Sequence, residues 1–224
     1  FNYFIHFAAI TKNESKKFKK TLNLINVKSS INIINSLNRY KIKNFNYFLF
    51  ISSSHVYGYS NKKISEKKIR KPANPYGNSK KKVEDFILKN NKKLYFRCGI
   101  ARVFNTTGYK QKKGNFVPDM LSKIKNSNHI DNVNQFRDFI HIDDVTKSIE
   151  LMLRKKIKLP INISSGKKIN LIKVCKIINS LYLRKKISYG LNKGKNIFGD
   201  NNLLKKNGIS SFKDNFETIK AYKP

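Results

Sequence analysis

Tryptophan is absent from this chain, and 224 residues hold only two cysteines and 13 acidic side chains. Cys98 and Cys175 lie far apart in sequence, so neither a metal-spaced pair nor a disulfide framework can be assembled, and both are expected to be small core residues. No metal site is expected. No apolar run approaches the length of a membrane span, and no basic segment precedes an apolar stretch at the start. Neither a membrane anchor nor a signal peptide is therefore expected, and the cytoplasm is the default location. Tandem repeats are missing as well. The length suffices to bury a substantial core as one or two domains.

Scarce acids set against 48 basic residues give a formal charge of +35, which ordinarily suggests a nucleic-acid partner. The excess is nearly all lysine, with only seven arginines, and it is scattered over every segment. Asparagine, isoleucine, phenylalanine and tyrosine are also abundant, so the residues in surplus are those with A- and T-rich codons. Arginines and aromatics are not interleaved along a stripe, which favours a solvated basic surface over a specific nucleic-acid site. A polyanionic substrate would still gain from the field.

What the chain does contain is organised around residues 47–80, YFLFISSSHVYGYSNKKISEKKIRKPANPYGNSK. Tyr47 to Ile51 is an aromatic and β-branched run that predicts a buried strand, breaking at Ser52 to Ser54 into a loop. Asn74 and Pro75 fit an N-cap and first helical residue, which puts Tyr76 and Lys80 on one helical face. A phenol titrates at about 10, and a neighbouring ammonium favours phenolate; a shift of about three units means roughly 4 kcal/mol of differential stabilisation. Such a Tyr76 takes a proton from an alcohol while a serine hydroxyl bonds the same oxygen as it becomes a carbonyl. Taken alone, the spacing is equally an exposed i,i+4 pair in a lysine-rich chain.

Ser-Ser-Ser-His-Val-Tyr-Gly followed by Asn-Pro-Tyr-Gly-Asn-Ser-Lys resembles the extended short-chain dehydrogenase/reductase family, in particular its nucleotide-sugar epimerases, dehydratases and 4-keto reductases. The resemblance implies that Tyr76 is the acid/base, that Lys80 tunes it and holds the nicotinamide ribose, and that Ser53 polarises the sugar oxygen. Ser52 and Ser54 are expected to cap the strand end. His55 stands where the 4,6-dehydratases of that family carry a glutamate; it is either a base or a residue at the substrate's rim.

The resemblance runs along the chain in order. Phe1 to Ala9 reads as a strand, and the family's His-x-Ala-Ala places Phe7, Ala8 and Ala9 along the cofactor. The preceding strand, glycine-rich turn and helix are missing, so the sequence reads as a fragment lacking about the first quarter of such an enzyme. Leu22 to Lys43 is helical, with Val27, Ile31, Ile34 and Leu37 as its apolar stripe, and Asn26 is either solvated or cofactor-facing. A strand over 94–103 leads into Phe104-Asn105-Thr106-Thr107-Gly108, where the resemblance sets Phe104 beside the nicotinamide and Asn105 on the sugar nucleotide. Asn115 opens a helix and is implied to meet the diphosphate. Arg137, opening the apolar strand of the segment Arg137 to Val145, is implied to hold the diphosphate too, and Asp143 fits a helix N-cap. Pro160 to Gly166 resembles another strand end. Leu171, Val174, Ile177, Ile178 and Leu181 mark a further amphipathic helix, and residues 203–208 and 212–219 read as two short ones.

Alternating strands and helices argue for a parallel α/β sheet with crossover helices. The expected fold is α/β, a Rossmann-like doubly wound parallel sheet with its first strands missing and a smaller carboxy-terminal substrate-binding lobe. Residues 1–105 form the partial dinucleotide-binding domain and 106–224 mainly the lobe, with 136–166 returning to the Rossmann sheet. The implied activity is that of an NAD- or NADP-dependent nucleotide-diphosphate-sugar epimerase or 4-keto reductase, expected as a homodimer. The alternatives are 4,6-dehydration, a basic nucleic-acid-binding protein on a decayed sheet, or a nucleotide binder without turnover.

Overall fold

The computed structural model describes residues 1–222, with the side chain of residue 16 left aside. In chain order the first elements are β1 (Tyr3–His6), α1 (Ser29–Tyr40), β2 (Tyr47–Ser53), α2 (Pro75–Asn90) and β3 (Arg97–Val103). There follow β4 (Asn105–Thr107), α3 (Phe116–Asn126), β5 (His129–Ile130), β6 (Phe136–His141), α4 (Ile142–Lys155) and β7 (Pro160–Ile163). The chain closes with β8 (Lys168–Asn170), α5 (Leu171–Tyr182), β9 (Ser188–Tyr189), α6 (Asn202–Lys206) and α7 (Asn215–Lys220).

Two compact units emerge. The first comprises Phe1–Gly58, Glu66–Val103 and Ser148–Asn162; the second comprises Tyr59–Ser65, Phe104–Lys147 and Ile163–Pro224. In the first, the strands lie in the order β1-β2-β3-β7. Tyr3 pairs with Tyr47 and Tyr47 with Arg97, both in parallel register. Parallel neighbours need crossovers, and α1 and α2 supply them. Their apolar stripes explain why they pack there: Val27, Ile34 and Leu37 from the first crossover and Val83 and Ile87 from α2 join Phe48, Phe50 and Ile100 of the sheet in one buried cluster. Gly99 leaves no room for a Cβ against the Tyr47 hydroxyl, which donates to the Ile157 carbonyl at 2.8 Å. The Rossmann-like parallel sheet expected from the alternation is thus present.

In the second unit β4 runs parallel to β6 and β8 antiparallel to it. Val117, Met120 and Ile124 of α3 and Val174 and Ile178 of α5 pack with Phe139 and Ile219. Both cysteines are free and buried, Cys98 in the first unit's core and Cys175 in the second's.

Several expectations need correction. The first strand spans four residues, so Phe7 to Ala9 lie beyond its carboxyl end. β2 continues through Ser53, because Ser52 and Ser53 still pair in register with Arg102 and Val103. β3 begins only at Arg97. Asp143 is not an N-cap: it lies inside α4, its backbone N–H donates to His141 Nδ1 at 3.1 Å, and its carboxylate accepts from Lys213 Nζ at 2.7 Å. That partner sits 70 positions away, beyond the reach of local reasoning.

Candidate functional site

The carboxyl end of β2 and the start of α2 form one polar cluster in the first unit. Asn74 is extended, with its side chain accepting from Gly77 N at 2.8 Å, and Pro75 follows as the first helical residue. That cap fixes where the helix begins, and hence that Tyr76 and Lys80 face β2 together. The Ser53 side chain lies near enough to the Tyr76 phenol to favour its phenolate. Lys80, 2% exposed, donates from Nζ to the Ile51 carbonyl at 2.8 Å and lies 4.7 Å from the Phe50 ring centre and 6.0 Å from that of Tyr76. With Lys80 buried and Tyr76 partly so, the i,i+4 pair is directed at the strand end and is not an exposed surface pair.

Electrostatics depart from the simple expectation for the phenol. Part of Tyr76 reaches solvent, yet burial around it pushes its pKa up, and Ser53 opposes this only in part. Burial also lowers Lys80 to about 8, with the Glu84 carboxylate acting the other way. Both shifts follow from moving a group into low dielectric, which disfavours its charged form. At rest Tyr76 is the neutral phenol.

His55 stands at the rim of this cluster. Its Nδ1 lies 3.3 Å from Asn74 Nδ2, and its ring meets Tyr76 edge-on with centroids 5.9 Å apart. Asn26 is not solvated. Only 1% exposed, it accepts from Ile10 N at 2.7 Å and donates to Ile10 O at 2.9 Å and to Ser79 Oγ at 3.1 Å. It clips the segment after β1 to α2 one residue from Lys80, leaving Phe7 and Ala8 exposed and Ala9 partly so.

Ser52 does not cap the strand. Its hydroxyl donates to Glu84 Oε1 at 2.5 Å, and Glu84 is fully buried. Glu84 also takes Arg102 Nη2 at 2.6 Å and Arg70 Nη1 at 3.0 Å. Sequence reasoning missed this group. The available signal was an acid at the third place of a four-residue spacing, Tyr76, Lys80, Glu84, with an arginine inside an apolar strand to balance it.

The remaining predicted residues belong to the second unit. Phe104 is buried, and its N–H donates to Ile163 O at 3.0 Å. Asn105 is partly buried and donates to Asp138 O at 3.0 Å. Asn115 is exposed and donates to Lys112 O at 2.9 Å. Arg137 donates to the Phe136 and Lys195 carbonyls at 2.9 and 2.7 Å and to Gln135 Oε1 at 2.8 Å. All three acceptors are neutral, so the guanidinium charge is held by dipoles, and burial lowers its pKa. Among the described residues no group of three or more His, Cys, Asp or Glu side chains could hold a metal ion.

Known proteins bear on this geometry. The chain is 33% identical over 165 residues to a putative UDP-glucose 4-epimerase of Methanocaldococcus jannaschii, covering 69% of this chain and 52% of that protein. It is 27% identical over 169 residues to a dTDP-D-glucose 4,6-dehydratase of Dictyostelium discoideum, covering 67% and 38%. It thus spans about half the length, or less, of these relatives. Among solved structures, a UDP-glucuronic acid 4-epimerase from Bacillus cereus in complex with NAD superposes with a TM-score of 0.84 at 21% identity, covering 99% of this chain and 72% of that one. Residues 1–164 match the NAD dependent epimerase/dehydratase family. The chain belongs to that family.

Proposed function

We propose that this protein is an NAD- or NADP-dependent enzyme acting on a nucleotide-diphosphate sugar, as a 4-epimerase or 4-keto reductase. The observation that carries the reading is the convergence of Ser53, Tyr76 and Lys80 at the carboxyl end of β2, with Ser53 acting on the Tyr76 phenol and Lys80 Nζ donating to Ile51 O. Residues of the first unit fit the nicotinamide end of such a cofactor. Lys80 spends one of its donors on Ile51 O and has others for ribose hydroxyls, while Phe7 and Ala8 offer exposed apolar surface beyond β1. No Gly-x-Gly occurs in the 224 residues, so no glycine-rich phosphate turn is assigned to them.

When bound, the nicotinamide supplies the hydride acceptor or donor. The residues of this chain handle the proton and the substrate's orientation. Neutral Tyr76 gives its proton to the sugar oxygen in the reducing direction. In the oxidising direction it must become phenolate, and the Lys80 ammonium lowers the cost. Ser53 donates to the same sugar oxygen. We assign the nucleotide diphosphate to Asn105, Asn115 and Arg137 of the second unit, where a guanidinium neutralised by no carboxylate among its three hydrogen bonds suits a polyanion. Phe104 is assigned to the nicotinamide side and residues 106–222 mainly to substrate binding. A homodimer in the cytoplasm completes the reading; among the described residues no helix is long and apolar enough to cross a membrane.

His55 directs the choice among outcomes. Its Nδ1 is engaged with the α2 cap, and an imidazole is a poor replacement for the carboxylate that dehydration calls for. The test is to incubate the purified protein with NAD or NADP and with GDP-, UDP- and dTDP-hexoses, and to read the products by mass spectrometry and chromatography. An isomer of equal mass, or a product differing by two hydrogens, is expected. A product lighter by one water, formed at a rate that collapses in His55→Ala, would replace this reading with dehydration.

A further inference from the structure

Three consecutive residues at the end of β2 each meet one residue of α2: Ser53 meets Tyr76, the Ile51 carbonyl takes Lys80 Nζ, and Ser52 Oγ reaches Glu84. Residues 76, 80 and 84 follow at one helical turn apiece, so a single face of α2 is fastened to a single strand end by three polar rungs. The third rung is the anchored one. Glu84 is fully buried and receives both Arg102 Nε, at 3.1 Å to each oxygen, and Nη2 at 2.6 Å. Arg102 pairs in register with Ser52 across β2 and β3, and Arg70 closes the far side at 3.0 Å. Arg102 in turn donates to Tyr57 Oη at 2.7 Å and to the Glu66 carbonyl at 3.1 Å, so the clamp has no slack.

We infer that Glu84 is the positioning residue of this site: its carboxylate, clamped by Ser52, Arg102 and Arg70, sets the register of α2 on β2 and stands one helical turn from Lys80 as the counter-charge on the same buried face. The inference rests on the functional reading above for its consequence in turnover, but its physical content does not. Around Lys80 the titratable groups are Glu84 and Tyr76 on α2 and His6 on β1, with Arg102 and Arg70 acting through Glu84. Tyr76 and His6 are held neutral near neutral pH, Tyr76 because burial raises its pKa and His6 because burial and then the Lys80 charge lower it. Glu84 is then the only anion in that set. Burial has already brought Lys80 down to about 8, so removing the carboxylate brings deprotonation into the physiological range.

The test uses the whole protein without cofactor or sugar, with lysine labelled at Cε and Nζ and the Lys80 signal assigned by its loss in Lys80→Arg. The wild type should titrate at about 8, and Glu84→Gln should lower the midpoint by about one unit or more, a tenfold weaker hold on the proton. Glu84→Asp keeps the charge and should restore most of that difference. If Glu84→Gln does not fold, Glu84→Gln/Arg102→Gln removes both buried charges, and its midpoint should still fall, though by less. A Glu84→Gln protein that melts earlier while Lys80 titrates as in the wild type would reduce Glu84 to a structural residue and overturn the inference. A double-variant midpoint at or above that of the wild type would overturn it equally. Because no substrate is present, this result stands apart from the turnover assays; full activity in Tyr76→Phe would sink the functional reading and leave the Lys80 titration to decide the role of Glu84.

Discussion

Asp138 sets two physical effects against each other. Its carboxylate is fully buried on β6, with Oδ1 accepting from Ser165 N and Oγ at 2.9 and 2.8 Å and Oδ2 accepting from Gly166 N and Gly199 N at 3.0 and 3.2 Å. Four donors favour the anion and burial opposes it; burial is the larger effect, and the pKa rises to about 6. The folded state then holds this proton more tightly than the unfolded chain. Stability linked to Asp138 is therefore full at low pH and lost as pH rises from about 4 through about 6, in total about 3 kcal/mol for a shift of about two units. In Asp138→Asn the amide oxygen can keep the Ser165 pair, but its NH₂ confronts the Gly166 and Gly199 N–H groups. Two unsatisfied donors cost about 1–3 kcal/mol each, partly offset near neutral pH by relief of the buried charge. Asn does not titrate, so going from about pH 7 to about pH 5 should widen the stability gap between wild type and variant by about 1.3 kcal/mol. Urea unfolding at the two pH values measures that gap. A gap that stays constant or narrows on acidification would show that the four donors outweigh burial, and the reasoning would fail.

Asn74→Ala removes the cap of α2 and should cost about 1 kcal/mol of stability by urea melts, with Tyr76 turnover falling as the helix start loosens; an unchanged midpoint of unfolding would deny the cap its role. Burial of Lys80 has the opposite pH sign to that of Asp138. Its folded pKa of about 8 lies below the unfolded lysine value of about 10.4, so the unfolded chain holds the proton more tightly and stability rises with pH above about 8. Between about pH 8 and 9 the two cysteines titrate in the unfolded chain of both proteins alike, so the difference between wild type and Lys80→Met isolates Lys80, and wild type should gain stability relative to the variant as pH rises. Parallel pH curves for the two proteins would contradict it.

Much of the first unit was legible because its signals are local. Asn74-Pro75 marks a helix start whichever fold surrounds it, the spacing Val27, Ile31, Ile34, Leu37 marks a helix face, and five apolar residues from Tyr47 mark a strand. What stayed hidden depends on partners distant in sequence. Ser52 could not be matched with Glu84, nor Asp143 with Lys213, because each pair meets only after the chain has folded. The phenol's shift had the wrong sign for a related reason: the Lys80 ammonium was legible as a neighbour, whereas the burial that raises Tyr76 belongs to the packed structure. Asn26 shows the same limit, since the sequence left solvent and the cofactor side both open and its partners in the fold are Ile10 and Ser79.

The central claim is that Tyr76 moves a proton at the sugar oxygen, and Tyr76→Phe tests it with the ring retained and only the hydroxyl removed. With the nucleotide sugar that the product screen identifies, initial rates and equilibrium binding should be measured side by side for wild type and variant. Turnover is predicted to fall at least about a hundredfold while substrate affinity changes by less than about threefold. Wild-type rates in Tyr76→Phe would contradict the account.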